Sequence, residues 1–251
     1  MTTKMAAVLK HWREASTLIL VTARHKGANV KPNVVSSSAA SAEALKGENF
    51  DVLLLKRSAK SKFMPNRYVF PGGVASDVDF SADWIPVFDL LGKDHRQDIF
   101  DFVQRGGQGA RMFSRLRDAK FSQIPSEIAF RICAIRETFE ESGVLIAHNV
   151  DKADHFQPAL WEGPSWASYC KDETVINEWR QKVDKDPSEF LRMCQELRIV
   201  PDVWSLYEWS NWLTPLGLQS NRRYDTAFFV CCVGGRPHAA EDEGETVHAQ
   251  V

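Results

Sequence analysis

Apolar and polar residues fall along this chain in blocks whose periods distinguish strands from helices. Ser16–Arg24 (STLILVTAR) is β-branched, continuous and bounded by polar residues, which predicts a first strand. Residues 25–49 contain a Ser/Ala-rich stretch, Ser36–Ala44, that reads as a loop. Asp51–Arg57 (DVLLLKR) predicts a second strand, and Arg67–Phe70 a short third one that ends at Pro71-Gly72-Gly73. Residues 74–125 mix aromatics, acids and a Gly/Arg segment, Arg105–Arg111, and read as an insertion of partly helical character.

The clearest helix spans 127–142, with Ser126 as N-cap and Gly143 as terminator. On a helical wheel Ile128, Ile132, Ile135 and Phe139 form one apolar stripe, while Glu137, Glu140 and Glu141 fall on the opposite side. Val144–Ala147 predicts a strand and 172–183 a helix. Asp186-Pro187-Ser188-Glu189 then starts another helix, to about Leu197. Tyr207–Thr214 and Thr226–Val233 predict two late strands, the second apolar enough to be central. Strands and helices that alternate without repeats indicate one α/β-type domain with insertions, spanning 1–251 with a helical insert at about 151–203.

The 251 residues carry 31 Lys and Arg against 33 Asp and Glu, a net charge of −2. No global positive field gathers nucleic acid or anionic membrane, so an anionic substrate must be held by placed cations or a metal ion. Cys133, Cys170, Cys194, Cys231 and Cys232 lack CxxC spacing, which argues against a disulfide framework and a structural zinc. No window approaches the ~18 apolar residues of a membrane span. Five of the eight tryptophans (Trp161, Trp166, Trp179, Trp204, Trp209) lie in or near the helical insert, where core packing is the expected role. Lys4, Lys10 and Arg13 permit a mitochondrial presequence, but a charged lead into the domain explains them as well.

The three glutamates stand at i, i+3 and i+4, helix neighbours with Cβ atoms about 5–6 Å apart. Alone, they describe a solvated acidic face. They would repel one another there unless a cation intervened, and a hard divalent ion such as Mg²⁺ accepts carboxylate oxygens. Arg136 directly before them and Gly143 directly behind favour the metal-site reading. Arg136-Glu137-Thr138-Phe139-Glu140-Glu141-Ser142-Gly143-Val144 resembles the second half of the Nudix box, R-E-U-x-E-E-x-G-U with U aliphatic. The resemblance implies a Nudix-type α/β/α sandwich with a mixed sheet, and Mg²⁺ or Mn²⁺ held by Glu137, Glu140 and Glu141. It further implies Glu140 and Glu141 as catalytic carboxylates, with Arg136 as their salt-bridge partner. Thr138 stands where an aliphatic residue is usual. Counted back from Arg136, the box's earlier glutamate falls at Ile128 and its leading glycine at Ser122, so the glycine's role passes to Gly73 across a long insertion inside the box.

Leu53-Leu54-Leu55-Lys56-Arg57-Ser58, then Lys62, Asn66 and Phe70-Pro71-Gly72-Gly73, is similar to the signature upstream of the box in coenzyme A-hydrolysing Nudix enzymes. Lys62 replaces an Arg and Asn66 a Gly. Together with Trp212-Leu213-Thr214-Pro215 and Arg222-Arg223-Tyr224-Asp225-Thr226, these stretches resemble the peroxisomal acyl-coenzyme A diphosphatases of that family. What the resemblance implies is metal-dependent hydrolysis of the diphosphate of coenzyme A or acyl-coenzyme A. Arg57, Lys62, Gly72 and Gly73 would bind the substrate in a peroxisomal monomer with no nucleic-acid or membrane partner. Ala249-Gln250-Val251 is not a peroxisomal address, and mitochondrion and cytoplasm are the alternatives. Two other functions compete: hydrolysis of NADH or ADP-ribose, and a catalytically weak Nudix-fold binding module, motivated by Ile128 and the insertion. Because only Gly234–Val251 follows the last predicted strand, the chain is expected to be truncated or disordered from about Gly234.

Overall fold

The computed structural model describes residues 12–24, 49–61, 64–105, 111–151, 166–170, 173–215, 223–240 and 246–250. Lys62, Ser36–Ala44, Trp161, Arg222 and most of Arg105–Arg111 lie outside the described residues.

The first strand, β1 (Trp12–Arg24), runs parallel to β9 (Arg223–Val233), from Trp12 opposite Arg223 to Thr22 opposite Val233. This is the central ladder of a mixed sheet in the order β2 (Asn49–Val52), β1, β9, β8 (Tyr207–Leu213), with β5 (Gly72–Val74) sharing β1's outer side with β2. All pairings except β1–β9 are antiparallel. From Asp225 to Val233, β9 alternates buried and half-buried positions, the period-two signature of a strand with one face in the core. Its expected central place is found.

The predicted strand Asp51–Arg57 is interrupted at Leu53, which is fully buried and donates its N–H to Leu20. Beyond it, β3 (Leu54–Arg57) joins a second sheet, between β4 (Tyr68–Val69) and β10 (Thr246–Gln250). The strand β10 corrects the expectation of disorder beyond Gly234, since it pairs with β3 from Thr246 opposite Arg57 to Gln250 opposite Leu54. Ahead of it, Ala240 donates its N–H to the Ser142 carbonyl, which ties that residue to the core.

The insertion after β5 contains a 3-10 turn (Asp77–Phe80) and helices α1 (Trp84–Asp89) and α2 (Lys93–Arg105). Next comes α3 (Ser126–Ser142), whose stripe Ile128, Ile132, Ile135 and Phe139 is fully buried against the sheet. Ser126 is the first helical residue rather than the cap, with Pro125 before it, and its Oγ accepts from Arg117 Nε at 3.0 Å. Gly143 ends the helix as expected, left-handed at φ 74°. The wheel's opposite side differs from expectation. Arg131, Arg136, Thr138 and Glu141 are buried too, so α3 is covered nearly all round. Thr138 fills its aliphatic place by donating its hydroxyl back to the Ala134 carbonyl at 2.7 Å.

A short ribbon of β6 (Ala147–Asn149) and β7 (Ile199–Pro201) flanks α4 (Glu173–Val183) and α5 (Ser188–Glu196). Phe190 of α5 packs on both Phe139 and Trp84, with ring centroids 6.1 and 5.9 Å apart. Both insertions therefore share the core of the sheet and α3. Trp179 and Trp204 are buried as expected, but Trp166 and Trp209 are exposed, at 50% and 69%. The edge position of β8 explains the second case, because a register irregularity between Glu208 and Ser210 leaves Trp209 outside the ladder.

Candidate active site

The strand β5 lies across β1 with Gly72 opposite Thr17 and Gly73 opposite Ser16. A Cβ on Gly72 would collide with Ser16 O and Thr17, and one on Gly73 with the Glu137 carboxylate. Only glycines let this strand approach both its neighbour and the α3 glutamates so closely.

Arg136 sits at the centre. Its side chain is 1% exposed and its guanidinium makes a two-pronged contact with Asp79, Nε to Oδ1 and Nη2 to Oδ2, both 2.9 Å. The Asp79 side chain is fully buried and also accepts the Ser76 N–H at 2.8 Å. From the other prong, Arg136 Nη1 donates to Glu137 Oε1 at 2.9 Å and Glu140 Oε1 at 2.7 Å, while Nη2 donates to the Val74 carbonyl at 3.1 Å. One guanidinium thus ties β5, the 3-10 turn and the last turns of α3 together. Burial by itself would lower the Arg136 pKa; Asp79 and then Glu137 outweigh it, and the group stands well above its ordinary value.

Burial raises the Glu140 carboxyl to about 7; Arg136 pulls it down, while Glu137 and Asp79 push it up. Beneath them Cys133 is pushed well above the usual thiol range, by burial first and then by Asp79. It stays a neutral packing group rather than a nucleophile.

The expected meeting of all three glutamates is found for two. Glu137 and Glu140 converge on one nitrogen, whereas Glu141 turns to β5 and accepts the Gly72 N–H at Oε2, 2.9 Å away. Among the described residues no group of three or more His, Cys, Asp or Glu side chains is gathered as around an ion. The donor chemistry nevertheless fits a hard divalent cation. Asp79, Glu137 and Glu140 all accept from a single guanidinium, and the two glutamates are 13–14% exposed, buried enough to raise Glu140 and open enough to be reached.

Arg57 stands at the end of β3, in the other sheet, and its Nε donates to Ser61 Oγ at 3.0 Å, ordering the turn that follows Ser58. Asn66 adopts φ 59°, a left-handed conformation that glycine enters freely and asparagine tolerates, so the exchange of glycine for asparagine keeps the turn. Ile128 is fully buried in the core and cannot serve as the box's earlier acid. Asp79 is the acidic residue that sequence reasoning missed. Ser122 and Ile128 are six residues apart, and six residues on from Gly73 is Asp79; counting forward from the glycine, instead of back across the insertion, would have found it.

The family model of the NUDT19 Nudix domain matches residues 12–251. The chain belongs to this Nudix family. It is 40% identical over 247 residues to the acyl-coenzyme A diphosphatase NUDT19 of Xenopus laevis, covering 96% of this chain and 62% of that protein. Against the protein of the same name from Homo sapiens it is 35% identical over 250 residues, covering 95% and 60%. The chain spans about three fifths of the length of these curated relatives. A Nudix hydrolase crystal structure from Alicyclobacillus acidocaldarius superposes with a TM-score of 0.50 at 18% identity, covering 95% of this chain and 77% of that one, which bears on the fold alone. Nudix hydrolases generally use divalent metal ions.

Proposed function

We propose that this chain hydrolyses the diphosphate of coenzyme A and acyl-coenzyme A, giving 3′,5′-ADP and (acyl-)4′-phosphopantetheine, with Mg²⁺ or Mn²⁺ as cofactor. The observation that carries the reading is the Arg136 hub, which holds Glu137 and Glu140 together beside the Gly72-Gly73 strand. The names of the relatives support the substrate class.

Glu137 and Glu140, which converge on Arg136, and on the family resemblance Glu141 as well, would hold the ion, which when bound would neutralise phosphate charge and lower the pKa of a water. Arg136 orients Glu137 and Glu140 and keeps their charge tolerable at low exposure. Glu140, raised to about 7 by burial in the metal-free protein, would be returned to its charged form by the ion it helps to hold. Glu141, through Gly72, fixes the spacing between α3 and the strand on which the diphosphate would lie. Arg57 supplies positive charge at the end of β3, and Lys62 is assigned the same role from its place in the signature. Peroxisomal residence and a monomeric state belong to this proposal on the family resemblance.

The test is product chromatography with coenzyme A, an acyl-coenzyme A, NADH and ADP-ribose, each with Mg²⁺, with Mn²⁺ and with EDTA. Metal-dependent release of 3′,5′-ADP, fastest from the coenzyme A compounds, is the expected result. Faster turnover of NADH or ADP-ribose moves the substrate class. No turnover of any of them leaves a binding module.

A further inference from the structure

An α-helix leaves its last carbonyls without intrahelical donors, and in α3 these carbonyls belong to the turn that carries Glu140 and Glu141. Gly143 N–H bonds back to the Phe139 carbonyl at 2.8 Å. The next bond in the ladder would run from Val144 N–H to the Glu140 carbonyl, but Val144 N–H goes to Ser142 Oγ at 3.3 Å instead. A side chain from the helical insert takes its place, with Arg180 Nε of α4 donating to the Glu140 carbonyl at 2.8 Å. The same guanidinium lies over Gly143, with Nη1 3.5 Å from where a Cβ would stand. The contact puts a cation at the negative end of the helix dipole and a donor on an orphan carbonyl at once.

We propose that Arg180 is a positioning residue for the glutamate cluster, fixing the last turn of α3 and hence the direction of the Glu140 and Glu141 side chains. This inference rests on the reading of that cluster as the active site. It gives the helical insert, which supplies none of the glutamates or their hydrogen-bond partners on Arg136, a part in the chemistry. Lysine at this position keeps the cation but has no fork with which to reach the carbonyl and cover Gly143 together.

The test uses the full chain with Arg180→Met, which keeps the apolar stem and removes the donors, and Arg180→Lys. Turnover is measured with coenzyme A, and Mn²⁺ binding separately by calorimetry without substrate. The expectation for Arg180→Met is a loss of about tenfold or more in kcat and in Mn²⁺ affinity, with KM changed less than twofold. Arg180→Lys should recover part of both and, as the milder change, gives the decisive reading if Arg180→Met does not fold. Wild-type kcat and Mn²⁺ affinity in a folded variant, with only the melting temperature lowered, would overturn the positioning role. If wild-type protein binds Mn²⁺ but does not hydrolyse coenzyme A, the substrate reading fails, and the affinity series still decides on Arg180.

Discussion

Replacing Asp79 isolates the contribution of the buried hub. Arg136 makes six hydrogen bonds, two of them to Asp79 and two to Glu137 and Glu140. Asp79→Asn removes the charge and keeps only one of the two acceptors facing the guanidinium, the other becoming a donor that opposes Nε or Nη2. Removing one partner of a buried pair costs about 3–5 kcal/mol, and the two glutamates still neutralise Arg136, so about 3 kcal/mol is expected for Asn. Asp79→Ala also releases the Ser76 N–H and belongs at the upper end of that range. Urea denaturation of metal-free protein, with unchanged slope, measures this directly. Turnover should fall about tenfold or more in both variants, because the two-pronged contact that fixes Arg136 on the 3-10 turn is weakened by Asn and lost with Ala. Losses below about 1 kcal/mol in both variants, the size expected of an exposed ion pair, would refute the hub as described.

Glu140→Gln should change the pH dependence of stability. With a carboxyl raised to about 7 in the fold and 4.5 as its ordinary value, the folded form binds the proton more tightly. Wild-type metal-free protein therefore loses stability from this group as pH rises through that window, by on the order of 3 kcal/mol. The variant should lack that decline, and parallel curves for the two in thermal melts across the window would contradict it. Gly73→Ala should lower turnover at least as strongly as it lowers the melting temperature, because its Cβ displaces the end of Glu137 rather than backbone; normal Mn²⁺ binding and kcat would show that the close approach is dispensable. At Asn66, φ 59° predicts that Gly is neutral or slightly stabilising and Ala destabilising by about 1 kcal/mol in urea titrations. Equal stability of the two variants would speak against that conformation.

Much of this could be read from local signals. The stripe Ile128, Ile132, Ile135 and Phe139 and the stop at Gly143 located α3, and the run from Arg136 to Glu141 located the hub, because neighbours on one helix are set by 3.6-residue geometry alone. What failed depended on layers that a single helix does not reveal. The wheel placed Glu141 opposite the core, yet the close pass of β5 buries it against Gly72. Asp79 was hidden because its partner, Arg136, is 57 residues away across the insertion. The aromatic insert suggested buried tryptophans, but whether a strand lies at a sheet edge, as β8 does, is a tertiary property that left Trp209 in solvent.

The parallel pairing of β1 with β9 has a consequence for the order of assembly. Residues 12–22 are matched with residues 223–233, so the middle of the main sheet joins nearly opposite ends of the described chain. Loop closure over such a separation must precede any gain from the ladder, which makes folding slow relative to the helices between. During synthesis, β1 leaves the ribosome roughly two hundred residues before its central partner exists, at rates of about 5–20 residues per second. For that interval of some tens of seconds at the slower rates, its apolar residues Leu18 and Leu20 lack the strand beside which they are finally buried. A nascent chain of this sequence should therefore engage chaperones from its first strand onward, and release from them should coincide with the emergence of Arg223–Val233.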